Sequence, residues 1–336
     1  MLHDGYKFYQ FKTCFCEFKS INDILCLIYS EKRNVLACYD IINKKVISRV
    51  NKNKSPINNI RHYLDNQFKR DLILNSFVGN QIEVSNLQNW ELLLTISEVN
   101  KGGCLFSSCF FNDNNNIYIL TTNNKVTYIW ECENIKVFDM KKNKIKEINN
   151  SNEDILYIDT YYDSKFDNNF IVTCNINHIK FYDFKNNSLF KKYNDSEFLG
   201  KVNDFIVDDR EPVKKLLGSS NSGIRIWNFY TGEVLKRIMS DLGGIYGLCL
   251  FENNYLLAGI KKNNNAYIIL IDLINEKIVK RINSNQEKPI SRITAIDTKN
   301  GKIFVSGGRW SDIIFLENKK LDFFIQNRIE IKNFYN

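Results

Sequence analysis

Proline and glycine are scarce in this chain, with 3 and 15 of 336 residues. No proline-rich or glycine-rich tether divides it, so one domain spanning residues 1–336 is expected, a length that propellers and barrels reach. Histidine is scarcer for its usual uses: His3, His62 and His178 are scattered and none pairs with a Cys or His at metal-ligand spacing, so no metal site is expected. The nine cysteines include no C-x-x-C pair, the nearest approach being Cys14 and Cys16. Met1–Lys7 lacks the charged start and apolar stretch of a secretory signal. Cys26, Cys38, Cys174 and Cys249, set in apolar runs, therefore read as buried reduced thiols. The most apolar window, Tyr267 to Ile274, is too short to cross a bilayer and contains Asp272. A soluble intracellular protein, cytoplasmic or nuclear, is the expectation.

Motifs of catalysis are lacking too. The chain holds no Walker-type phosphate loop, no G-x-G-x-x-G turn, no nucleophile elbow and no H-E-x-x-H helix. Gly102-Gly103, Gly243-Gly244 and Gly307-Gly308 are isolated pairs that read as strand-end geometry. His62 and His178 have no Ser or Cys nucleophile in a recognisable context, and Asp208-Asp209-Arg210-Glu211-Pro212 reads as a solvated hairpin loop. No catalytic residue and no cofactor are expected.

What is present is strand material. Hydrophobic residues make up 44% and aromatics 13%, with Ile, Tyr and Phe abundant, a balance that favours sheets around a real core. Short polar runs such as Asn51-Lys52-Asn53-Lys54 and Asn112 to Asn116 separate the apolar segments and read as loops. The net charge of +8 is spread over lysine pairs along the whole sequence, among them Lys44-Lys45, Lys141-Lys142 and Lys261-Lys262. Such spacing points to solubilised turns more than to a nucleic-acid footprint.

A unit recurs: an apolar run, a polar break, a second run, a short polar turn, and a further run ending near a basic residue. Its best copy runs from Val213 to Ile238, where Ile224, Ile226 and Asn228 alternate with Arg225 and Trp227 as a two-faced strand requires, and Thr231-Gly232 supplies a turn. Weaker copies keep the phase at Tyr39-Asp40, Phe138-Asp139, Tyr182-Asp183 and Ile271-Asp272, and degenerate ones end at Val84-Ser85-Asn86 and Phe315-Leu316-Glu317. The spacing is roughly the 40–45 residues of a four-stranded blade, with one longer interval.

Gly218-Ser219-Ser220-Asn221-Ser222-Gly223-Ile224-Arg225-Ile226-Trp227-Asn228 and the turn and strand that follow resemble the WD40-repeat family, Trp227-Asn228 standing for its Trp-Asp. The resemblance implies an all-β, seven-bladed β-propeller of four-stranded antiparallel blades, since stacking sheets round an axis buries both faces of each. It implies a platform for proteins or peptides in a multi-subunit assembly, and hence a non-catalytic scaffold or adaptor. The rival is nucleic-acid or phosphoinositide binding through the basic loops. The family braces each blade with an Asp, a His, a Ser or Thr, and the Trp. Here Asn221 stands for the Asp, Ser219 or Ser220 for the hydroxyl, and no His lies between Tyr193 and Asp204. Blades are thus expected to rest more on apolar packing.

Three points stay open. The last outer strand comes either from Tyr6 to Phe11 or from the tail, Leu321 to Ile325 or Arg328 to Phe334. In the third unit Thr127 to Glu131 is either the Trp-Asp-like strand or part of an inserted hairpin, Thr122 to Cys132. The hairpin is preferred because Phe138 to Lys144 matches the other turns. Partner-binding candidates are Arg309 and Trp310, in a second-to-third-strand loop, and Tyr128 and Trp130, on the proposed hairpin. Arg and Trp are common interface anchors, but Trp310 can equally pack between blades and Trp130 can lie on an ordinary third strand.

Overall fold

The computed structural model describes residues 15–329, less short stretches between strands (33–34, 53–56, 78–80, 98–106, 114–115, 123–125, 137–138, 150–154, 199, 211, 239–242, 253, 299–300, 309–310 and 320–321). Period-two alternation of apolar and polar residues makes strands that bury two faces differently, and seven four-stranded antiparallel sheets result. Blade 1 is β1 (Phe15–Lys19), β2 (Leu25–Lys32), β3 (Val35–Asp40) and β4 (Lys45–Asn51). Blade 2 is β5 (Ile57–Asp65), β6 (Arg70–Phe77), β7 (Gln81–Asn86) and β8 (Leu92–Ile96). Blade 3 is β9 (Ser107–Asp113), β10 (Asn116–Thr122), β11 (Val126–Lys136) and β12 (Asp139–Asn149). Blade 4 is β13 (Ile155–Asp163), β14 (Asn168–Asn175), β15 (His178–Asp183) and β16 (Ser188–Asn194). Blade 5 is β17 (Asp204–Asp208), β18 (Lys215–Ser220), β19 (Gly223–Asn228) and β20 (Val234–Ile238). Blade 6 is β21 (Gly244–Phe251), β22 (Tyr255–Lys262), β23 (Asn265–Asp272) and β24 (Lys277–Gln286). Blade 7 is β25 (Arg292–Thr298), β26 (Gly301–Gly308), β27 (Ser311–Lys319) and β28 (Asp322–Ile329).

The first strand of each blade is innermost, and neighbouring first strands touch round the ring. Each sheet is sandwiched between two others. In β6, Leu72 and Leu74 face blade 3 beside Ile117, Ile119 and Trp130, while Ile73 and Phe77 face blade 1 beside Ile28 and Cys38. The ring closes where Phe15, Leu27, Tyr29 and Tyr39 of blade 1 pack on Ile296, Val305, Ile313 and Phe315 of blade 7. Arg292 and Thr294 of β25 both donate to Glu17 of β1, at 2.7 and 2.9 Å. The seven described cysteines are buried and outside any disulfide.

A backbone irregularity fixes the phase of the repeat. In every blade the pairing of third and fourth strands slips at a matching place: at Cys38/Tyr39, Val84/Ser85, Ile129/Trp130, Phe181/Tyr182, Ile226/Trp227, Leu270/Ile271 and Phe315/Leu316. The next residue is Asp40, Asn86, Glu131, Asp183, Asn228, Asp272 or Glu317. In five blades it is Asp or Asn, whose short acceptor side chain caps the turn that follows. Asp40 accepts from the amides of Ile42 and Asn43 at 3.0 and 2.9 Å and from the Asn43 side chain at 2.7 Å. Asp183 and Asn228 cap their turns through the amides of Asn186 and of Tyr230 and Thr231. Burial opposes ionisation of Asp40, but the Asn43 and Ile42 donors hold its carboxyl below the usual range. Asp40→Ala is therefore expected to cost about 1 kcal/mol, measured as a shift in the denaturant midpoint against wild type.

Blade 3 corrects the preferred sequence reading. Thr127 to Glu131 lies on β11, the third strand, and Trp130 and Glu131 hold the places of Trp227 and Asn228. There is no inserted hairpin at Thr122 to Cys132. Instead β11 and β12 run to 11 residues each, carrying the third-to-fourth hairpin past the usual turn to the Lys136↔Asp139 pair. Asp139 thus opens the outer strand, and this longer hairpin accounts for the longer repeat interval. At the other open point, the outer strand of blade 7 comes from the tail, as β28; Tyr6 to Phe11 lies outside the described residues.

The bracing network is also placed differently. In blade 3 the Trp130 indole donates to Thr121 on β10 at 3.0 Å. The matching position in blade 5 is Gly218, since Leu216 lies opposite Trp227 as Ile119 lies opposite Trp130. The ring of Trp227 fills the space over Gly218, and its buried indole N–H has no hydrogen-bond partner. Ser219 serves the blade junction instead, donating to Tyr246 O at 3.2 Å.

Candidate partner-binding surface

Antiparallel order puts all first-to-second and third-to-fourth links on one face of the ring, here the lower face, and the second-to-third and inter-blade links on the upper face. Arg309 and Trp310 lie between β26 and β27, an upper-face link, and are outside the described residues. Trp130 is buried in the seam between blades 2 and 3, with Tyr128 half-buried against the same cluster. Of the four candidates, the described pair Tyr128 and Trp130 thus lies in a blade seam.

Innermost strands carry ionisable groups that tie blade 2 to blade 4 and blade 7 to blade 1. Arg61 of β5 donates to Tyr157 at 2.7 Å and Asp159 at 3.3 Å on β13, and Arg292 to Glu17. Each of these carboxylates is therefore engaged by an arginine. Among the described residues no group of three or more His, Cys, Asp or Glu side chains could hold a metal ion. No helix among them is long and apolar enough to cross a membrane.

The lower face presents apolar side chains. Ile24, Ile42, Phe68, Phe166, Val213 and Ile274 are exposed in its links. A shallow cavity of about 470 Å³ opens on the same face between blades 2 and 3, lined by Tyr63, Asp65, Asn66, Gln67, Asn112 and Ile117. Asn112 donates to Tyr63 across it at 2.9 Å.

The seam between blades 4 and 5 is the most built part of this face. Asp163, buried at the end of β13, accepts from Lys214 Nζ at 2.9 Å, Tyr230 Oη at 3.3 Å and the Lys165 amide at 3.0 Å. Lys214 also donates to Tyr161 at 2.8 Å. Burial penalises both charges, yet the pairing wins: Asp163 is held below its usual range and Lys214 above its own. The network pins the tip of the β13–β14 hairpin to blade 5. There Phe166, 59% exposed, meets Tyr230 edge-to-face with centroids 5.5 Å apart. Val213, 49% exposed, stands in the blade 5 loop next to Lys214. Beneath them Phe170, Phe181 and Phe229 form the core. Interface-forming apolar area is commonly displayed on such fixed aromatics.

Seven four-stranded blades closed in a ring define a β-propeller. No family model matches the sequence. Curated relatives do: Echinoderm microtubule-associated protein-like 1 of Mus musculus is 26% identical over 168 residues, covering 49% of this chain and 18% of that protein. Echinoderm microtubule-associated protein-like 4 of Xenopus laevis is 24% identical over 221 residues, covering 60% of this chain and 22% of that protein. The chain spans less than a quarter of the length of either relative. The repeat phase, the fold and these relatives together support a WD40-repeat β-propeller. That fold generally mediates protein–protein interactions.

Proposed function

We propose that this chain is a non-catalytic scaffold or adaptor, one propeller unit that holds protein partners within a larger intracellular assembly. The observation that supports it best is the lower-face patch, where a buried ion-pair network fixes an exposed phenylalanine in a rigid hairpin rather than hiding it. Exposed, rigid aromatics gain affinity without an ordering cost on binding. Arg309 and Trp310 are proposed as contacts on the upper face.

The test is affinity capture of the tagged full chain from its native cell, washed at low and high salt, with bound protein and nucleic acid both identified. Stoichiometric protein partners that survive high salt are expected. Phe166→Ala and the pair Arg309→Ala/Trp310→Ala then assign each partner to a face. Nucleic acid or lipid alone, lost as salt rises, would overturn the scaffold reading in favour of its basic-loop rival. The relatives' names make a microtubule the first candidate partner, and co-sedimentation of the purified chain with polymerised tubulin examines it directly.

A further inference from the structure

We propose that the blade 4–blade 5 patch of the lower face takes an extended peptide of a partner protein, in which a bulky apolar residue is flanked by carboxylates. This rests on the scaffold reading and adds the chemistry of the partner.

The apolar half follows from shape. Phe166 and Tyr230 meet at an edge, and Val213 lies in the loop that leads to Lys214. The hairpin holding Phe166 is short and locally fixed: the Lys165 amide and Phe166 amide donate to the side chain and carbonyl of Asp163 at 3.0 and 3.3 Å. Asp163 is itself anchored by Lys214 and Tyr230. The ring is thus presented before any partner arrives, which is the arrangement that turns apolar area into affinity.

The acidic half follows from two lysines whose ammonium groups make no ion pair among the described residues. Lys165 Nζ stands over two ring faces, 5.6 Å from the centroid of Phe166 and 5.3 Å from that of Tyr230. Among the described residues it has no carboxylate partner. The buried Lys214 one layer below has one in Asp163. Lys185 of the neighbouring turn donates only to the carbonyl of Asp167, at 3.0 Å, and the Asp167 carboxylate is occupied by the Tyr162 hydroxyl at 2.8 Å. Two ammonium groups therefore rim an apolar contact, and among the described residues neither makes an ion pair. A carboxylate next to the anchoring side chain would complete them, and its attraction would be strongest where the aromatic rings exclude water.

The experiment is selection of a random-peptide phage library on the intact chain, on Phe166→Ala and on Lys165→Glu. Phe166 and Lys165 are exposed, so both variants are expected to keep the wild-type Tm. Peptides selected on the wild type should carry an aromatic or large aliphatic residue next to Asp or Glu, and bind each variant about tenfold or more weakly. Selection on Lys165→Glu should instead enrich Lys- or Arg-flanked peptides. If Phe166→Ala loses binding but Lys165→Glu does not, the surface stands and the acidic-partner inference falls. If neither variant loses binding, both fall. A concentration-dependent dimer abolished by Phe166→Ala, or capture of phosphatidylserine vesicles in place of peptides, would overturn the peptide assignment.

Discussion

Replacing Gly259 with alanine is expected to destabilise the protein by about 3 kcal/mol or more and to lower its Tm by several degrees. Gly259 lies in β22 with no left-handed backbone to explain it. The reason is close approach. A β-carbon there would be driven into the carbonyl oxygen of Ile290, with Ile290 Cβ and Cγ2 only 3.0 and 3.1 Å away. Ile290 belongs to the apolar cluster joining blades 6 and 7, with Leu257, Ile268 and Phe304. A backbone carbonyl cannot rotate aside as a side chain can, so relief requires the blades to part. Differential scanning calorimetry decides the matter, and an unchanged Tm would show that the seam yields freely.

The second large effect is expected at Asp195, between β16 and β17. Its Oδ2 accepts from Arg225 Nε at 2.7 Å and Arg237 Nε at 2.8 Å, and its Oδ1 from Arg237 Nη2 at 3.2 Å. The carboxylate and Arg225 are almost wholly buried, whereas Arg237 is half exposed. Hydrogen bonding from Arg237, then from Arg225, outweighs burial and lowers the Asp195 pKa to about 2. Asp195→Asn leaves the buried Arg225 guanidinium with only the exposed Glu197 carboxylate, 3.9 Å away, which is the costly way to break a buried pair. Arg225 keeps the Glu197 carbonyl at 2.9 Å, so the expected loss is about 2 kcal/mol at neutral pH. Because the folded pKa lies below the unfolded value of about 3.9, the contribution is complete above that value and fades as pH falls through about 2. The gap in stability between wild type and Asp195→Asn should therefore be widest above pH ~4 and narrow toward pH ~2. A gap independent of pH would show that the ion pair is not its source.

Six of the seven repeat phases were legible, five of them because they rest on local chemistry. An Asp or Asn that ends a strand and caps a turn leaves the same trace in Asp40, Asn86, Asp183, Asn228 and Asp272. Turn chemistry says that a turn is present but not which strands it joins. For that reason Phe138 to Lys144 imitated the ordinary turn while belonging to an elongated hairpin. Gly218 misled in a related way. Neighbouring serines suggested a hydroxyl for Trp227, but strand parity turns Ser219 toward blade 6 and leaves glycine beneath the indole.

The candidate surface was not legible. Phe166 and Tyr230 lie in different blades, and nothing local in either segment records that they meet. Residue-type preference drew attention to tryptophan, yet Trp130 and Trp227 are core residues of the blade seams. Exposure of an aromatic is a property of the assembled ring. So is the distinction between a lysine with a counter-ion, Lys214, and one without, Lys165.

Among the described residues every blade is woven from one unbroken run of four strands, with none shared between the first sheet and the last. Among these residues blades 1 and 7 meet through side chains, in the Phe15 cluster and the clasp of Arg292 and Thr294 on Glu17. Topologically that junction resembles the other six, except that no peptide bond crosses it. The order of blades along the gene is then interchangeable. A permutant whose ends are joined by a linker and reopened in the upper-face link between blades 3 and 4 should rebuild the same ring, with its unstitched edge moved halfway round.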